Sequence, residues 1–348
     1  MTSSRLFWDW GTAYDLFVSL AVLHDPSYFG VRGAWAAGVR ARLPATERET
    51  LEQSQVLGQV PFHWIYSLPE PKDGAAVLWA LEQLPPAGRL PALALAPEWS
   101  QGEVASILED VARRGTWDEA DHDALHAVAR GSSLHPDAKG KPSARALHRI
   151  LDLWARAEDF GERYLEALRA YQQVFFAEEE RRIRPALQET LIWAQELAAR
   201  LELLDLLEEL SQGLRFDERP GSSELVLAPS YWCTPLIFFG NVSAEREIWL
   251  FGARSPDASL VPGEVVPDAL LRTLKALSDP TRLRILHYLS EEPMAPAQLA
   301  RRLRLRAPTV THHVNALRLA GLVQLFVGED KEAKRYAARP EAVAAAFS

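Results

Sequence analysis

Apolar positions recur three and four residues apart over most of the first two hundred residues. "TAYDLFVSLAVLHD" (12–25) carries this period and Pro26 stops it, so a helix is expected there. Segments 45–58, 74–84 and 102–114 read as further short helices. A polar break, "GSSLHPDAKGKPSA" (131–144), precedes two long helical stretches, "ARALHRILDLWARAEDFGERYLEALRAYQQVFF" and "PALQETLIWAQELAARLELLDLLEEL". The charge-rich "AEEERRIR" between them reads as a solvated face or joint. After Gly213 the period shortens. "SELVLAPS", "CTPLIFFGNV" and "EREIWLFGA" are β-branched or aromatic runs bounded by Pro, Gly and Asn. They read as three strands in an antiparallel meander or ladder covered by helices. No repeat of 20 to 50 residues is visible, which excludes a solenoid.

Beyond "ARSPDASLVPGEVVPD" (253–268), where Pro, Gly and Ser cluster as in a linker, the helical period returns. "VPDALLRTLKAL" is amphipathic. "SDPTRLRILHYLSEE" opens with Asp279 placed to cap the next helix and Pro280 at its first position. "APAQLARRL" follows, then the turn "RLRA", then a helix from Pro308. Two short helices joined in this way form a helix-turn-helix. At 100° per residue, Val310, Val314 and Leu317 share one narrow stripe that faces the core. Thr311, His312, Asn315 and Leu319 fall opposite, flanked by Thr309 and Ala316, and His313 falls near the stripe and half-buried. "LVQLFVGEDKEAKRYAAR" alternates, turns and alternates again, as a hairpin wing does. The expected fold is therefore mainly α with a small β component. A helical domain (1–252) ends in a short three-stranded sheet, a linker spans 253–266, and a winged helix-turn-helix occupies 267–348.

Charge sharpens this division. The chain has 38 basic and 47 acidic residues, a net charge of -9. From Pro267 onward, however, 13 basic residues face 8 acidic ones, leaving +5 there and -14 before it. All 11 tryptophans lie at or before Trp249. Small polar side chains and an imidazole on the exposed face of the second helix suit base edges in a major groove: Thr309, Thr311, His312 and Asn315. Arg301, Arg302, Arg304, Arg306, His313 and Arg318 surround them, and Lys331, Lys334 and Arg335 lie on the wing, where they could meet the DNA backbone.

"LKALSDPTRLRILHYL" and "PAQLARRLRLRAPTVTHHVNALRLAGLV" resemble the winged helix of the ArsR/SmtB repressors, over about residues 267 to 340. The resemblance implies a homodimer on a two-fold symmetric operator, with Thr309, Thr311 and His312 facing the groove. Arg306 stands where that family usually places a capping serine. The family's metal sites do not carry over. "APAQLARRL" holds no cysteine, and the tail "PEAVAAAFS" has one acid, Glu341, and no histidine. More loosely, the order of elements, with "AYDLFVSLAVLHDP" and "ELVLAPSYW", resembles bacterial regulators whose N-terminal domain has no assigned role.

Three features of the first 250 residues could carry chemistry. "HDALH" places His122 and His126 on one helix face with Asp118 a turn earlier, a weak metal candidate because no third ligand is in view. Trp8, Trp10, Tyr14, Phe17, Tyr28, Phe29 and Trp35 could line a pocket, but aromatic residues more often fill a core. Tyr231 and Trp232 sit in a loop beside Cys233, the only cysteine. A single thiol excludes an intramolecular disulfide. No phosphate loop or nucleophile elbow appears, so no enzymatic activity and no cofactor is expected. Asp9 and Asp15 interrupt any leader-like apolar run, and no run is long enough to span a membrane. The expectation is a cytoplasmic transcriptional regulator whose partners are duplex DNA, a second copy and an unidentified small effector. The competing readings are a metal-binding or enzymatic N-terminal domain, and a winged helix that contacts only proteins.

Overall fold

The computed structural model describes residues 5–29, 31, 33–57, 60–95, 102–128, 144–211, 214–216, 222–234, 236–255, 268–327 and 334–345, with backbone only at 216, 268, 269, 327 and 343–345. The order is β1 (Arg5–Trp8), α1 (Thr12–His24), α2 (Gly33–Ala41), α3 (Ala45–Ser54), α4 (Phe62–Tyr66), α5 (Gly74–Gln83), α6 (Pro86–Ala94), α7 (Glu103–Arg114), α8 (Glu119–Val128), α9 (Ala144–Trp154), α10 (Ala157–Tyr171), α11 (Ala177–Ala198), α12 (Leu203–Ser211), β2 (Leu214–Phe216), β3 (Glu224–Ser230), β4 (Phe238–Asn241) and β5 (Arg246–Gly252). Then follow α13 (Asp268–Leu277), α14 (Pro280–Glu291), α15 (Pro296–Leu303), α16 (Ala307–Leu319), β6 (Val323–Val327), β7 (Arg335–Ala338) and α17 (Pro340–Ala345). The fold is mainly α with a small β component, as the periodicity predicts. Most of the linker span, 256–266, lies outside the described residues.

The large domain departs from the expected meander. Its sheet has the order β1-β3-β5-β4, with β1, β3 and β5 parallel and only the edge strand β4 antiparallel. "RLFW" at the N-terminus is a strand, not the start of a helical region. Its partner Glu224–Leu227 is over two hundred residues away, and β3 is buried along nearly its whole length, as strands covered on both faces are. One face meets the helical core around α1 and α10. The other meets Leu206, Leu207 and Leu210 of α12 and Ala194 of α11. Gly161 lets α10 touch α6, because a Cβ there would stand 2.0 Å from the Pro86 carbonyl oxygen.

"AEEERRIR" is not a solvated joint. It forms the first turns of α11, entered through a π-helical turn (Gln172–Phe176), and Glu179 and Glu180 are buried. Burial of these acids is tolerated because each is matched. Glu180 accepts from the Thr12 hydroxyl and from the Gly74 N–H (3.0 Å), and Glu179 pairs with Arg182 (2.9 Å). Asp9 and Lys72 form a second buried pair at 2.6 Å, with the Tyr14 hydroxyl donating to Asp9. Removing one partner of such a pair would leave an uncompensated charge in the core.

Asp15 ties α1 to the end of β3. Its carboxylate accepts from the Ser230 hydroxyl (2.7 Å) and from the Tyr231 and Trp232 N–H groups (3.2 and 2.8 Å). Complete burial nevertheless pushes its pKa up to about 7, against those three hydrogen bonds, which lower it. An acid whose pKa is raised by folding stabilises the fold fully below its unfolded value, here 3.8, and loses that contribution as pH rises through about 7. In thermal melts, the stability of the wild type relative to Asp15→Asn should therefore fall between about pH 4 and pH 7 and level off above. A constant difference would place the titration of this carboxyl outside that window.

Candidate nucleic-acid interface

The C-terminal unit has its own core, in which Ile285, Leu289, Leu299, Leu303, Val310, Val314, Leu317, Leu325 and Tyr336 are buried together. Asp279 caps α14 by accepting from the Thr281 and Arg282 N–H groups (2.8 and 3.0 Å), and Pro280 takes the first position. These hydrogen bonds hold the Asp279 carboxyl below its ordinary pKa. Arg282 reaches back to the Lys275 and Ala276 carbonyls that end α13. At the start of α15, Gln298 accepts from the Ala295 N–H (2.8 Å), half of a capping box.

The turn from α15 to α16 runs over Arg304–Arg306, and α16 begins one residue before Pro308. Arg304 adopts the left-handed conformation at φ 55°, a position that ordinarily selects glycine. Arg306 is the N-cap of α16 and its side chain makes no capping bond. Two arginines thus occupy positions where local stability would favour Gly and Ser, which points to a use for their charge.

Around the helix, Thr309, Thr311, His312 and Asn315 are exposed, whereas Val310, Val314 and Leu317 are buried. The Thr311 hydroxyl donates to the Ala307 carbonyl (3.0 Å), so its oxygen keeps lone pairs with which to accept. His313 turns inward, 15% exposed, with Nδ1 3.9 Å from Asp279. Arg301, Arg304, Arg306, Lys334 and Arg335 are exposed. Arg302, also exposed, is already engaged by Glu292 (2.8 Å) and lies over the Tyr288 ring. Arg318 is half-buried. Lys331 lies outside the described residues. β6 and β7 pair antiparallel, and Met294 bridges to Tyr336, completing the base of the wing. The wing sheet has a third strand that no local pattern announces. β2, from the end of the large domain's helices, pairs parallel with β6.

The candidates of the large domain are placed differently. His148 of α9 packs against His122, ring centroids 4.7 Å apart, and His126 lies 6.2 Å from His122. Sequence spacing could not supply His148, because it arrives from another helix. Asp118 is taken up at the start of α8, accepting from the Ala120 and Asp121 N–H groups. Among the described residues no group of three His, Cys, Asp or Glu stands so as to hold a metal ion. Tyr14, Phe17 and Phe29 are core, and Trp35 stacks on Trp232 with ring centroids 5.4 Å apart. Cys233 is fully buried and burial pushes its thiol pKa up, which removes the thiolate a redox switch needs.

A family model described as a helix-turn-helix domain matches residues 277–325, from the end of α13 into β6. The C-terminal unit is thus a helix-turn-helix domain, of the class that serves DNA-binding regulators. No curated protein and no solved structure matches the chain. Among the described residues no helix is long and apolar enough to cross a membrane.

Arg306→Ser should supply the missing cap and raise stability by about 1 kcal/mol in denaturant unfolding, while weakening DNA binding. Loss of stability would mean that the Arg306 side chain supports the turn itself.

Proposed function

We propose that this chain is a sequence-specific regulator of transcription, a repressor of the ArsR/SmtB type, binding duplex DNA as a cytoplasmic homodimer and carrying no catalytic activity. The observation that carries this reading is the single exposed face of α16, where Thr309, Thr311, His312 and Asn315 point outward within a ring of exposed arginines. The Asn315 amide has the donor and acceptor that match adenine in the major groove, and Thr311 offers an acceptor and a methyl group. Arg301, Arg304 and Arg306 reach phosphates on either side. Leu270 and Leu274 on α13 are 37% and 45% exposed, an apolar face that supports pairing of two copies. The boundaries proposed for the parts remain a large domain to residue 252 and the winged helix from 267. The large domain is the proposed seat of an effector.

The test is binding to the DNA upstream of its own coding sequence and to random duplex, across a salt series. His312→Ala with Asn315→Ala should flatten discrimination between the two duplexes, by about 1 to 3 kcal/mol for each base no longer read. Equal weakening on both would show that these residues do not read bases. Arg304→Ala with Arg306→Ala should instead weaken both duplexes alike and reduce the salt slope by about one unit for each phosphate no longer neutralised. An unchanged slope removes them from the interface.

A further inference from the structure

Leu319 is the fourth residue after Asn315 and the seventh after His312, so it stands on the same strip of α16 as the base-reading candidates. Yet it is half-buried, and it packs against the core of the large domain, not against the core of its own unit. Tyr28, on the loop after α1, lies near enough to Tyr336 of β7 to raise its phenol pKa, behind burial as the main cause. The large domain therefore sits beside α16 and the wing. Four residues of helix span about 6 Å. A recognition helix lies within the major groove with a DNA backbone on either side, so a body seated that close to the reading face crowds the approach of duplex.

A second attachment lies on the other side of the wing. β2 pairs in parallel with β6, in the register Leu214↔Leu325, Arg215↔Phe326 and Phe216↔Val327, and Leu214 packs against the winged-helix core. β2 directly follows α12, whose Leu206, Leu207 and Leu210 are anchored on the large domain's sheet. The cleft between α12 and the wing sheet is lined by Asp205, Glu208, Glu209 and Glu341 against Arg339, a net negative surface that repels phosphates.

We infer that the large domain is an intramolecular restraint on DNA binding: the Leu319 seat and the β2–β6 ladder hold the winged helix in a DNA-restricted arrangement, and full engagement of duplex requires their release. This rests on the reading of α16 as a DNA-recognition helix. An effector that draws α12 toward the large domain's sheet and away from β6 would then raise DNA affinity, and one that tightens the ladder would lower it.

The test uses the full-length chain carrying Arg215→Cys and Phe326→Cys, partners in the parallel register and outside both cores. Cys233 is buried and does not compete for the new disulfide. The oxidised protein should bind the upstream DNA about ten-fold or more weakly than the same protein after reduction, a shift in the range of ordinary coupling between sites. The factor should be the same on random duplex, because the restraint precedes base reading. Conversely, Leu214→Asp should undock β2 and tighten binding to both duplexes. Equal affinity of the oxidised and reduced forms, or tighter binding when oxidised, overturns the restraint and leaves the DNA-binding reading standing. If neither form, nor the wild type, nor Leu214→Asp binds duplex at any salt concentration, the DNA-binding reading fails first and the restraint falls with it.

Discussion

Burial of Val310, Val314 and Leu317 fixes the rotation of α16 about its own axis, and every statement about the exposed face depends on that rotation. A turn of one residue would carry Thr311 or Asn315 into the core and bring valine to the surface. Such a slip leaves polar groups unpaired and apolar area wet, so the phase is strongly held. The caps at Asp279 and Gln298 and the return of Arg282 to the end of α13 brace the helices that receive this stripe.

The large domain is built by a different economy. Its parallel strands lie between two apolar layers, so its polar groups must be matched inside the protein. Asp9 with Lys72, Glu180 with Thr12 and Gly74, and Asp15 with the turn after β3 are all of this kind. They cluster where α1, α5 and α11 meet the ends of β1 and β3. Buried acids placed this way give the helices a definite register against the sheet, which helps a body transmit displacement without deforming.

How legible each part was follows from the range of the forces involved. The winged helix was readable because its signals are local: Asp279 before Pro280, a three- and four-residue stripe, alternation on either side of a turn. The strand at "RLFW" was not, because four residues carry no usable period and its partner lies at 224–227. β2 is shorter still and takes its identity from β6. "AEEERRIR" looked solvated because an unbroken run of glutamates and arginines ordinarily is, and the partners that permit burial, Thr12 and Gly74, stand far away in sequence. His148 meets His122 only through the packing of α9 on α8. For α16 the helical period indicated which residues face outward. It did not indicate that Leu319 has a neighbour in the other domain.

The pairing of β1 with β3 also bears on how the chain comes to be assembled. Arg5 and Glu224 are 219 residues apart, and β5, which flanks β3 on its other side, ends at Gly252. At ribosomal rates of about 5 to 20 residues per second, roughly 10 to 45 seconds separate the synthesis of β1 from that of its partner. Through that interval an apolar strand waits without its partner, and Arg5, exposed at its start, is a charge that discourages pairing with a stranger. The winged helix follows the sheet in the chain and draws mostly on local contacts, so by contact range alone its closure is the faster of the two.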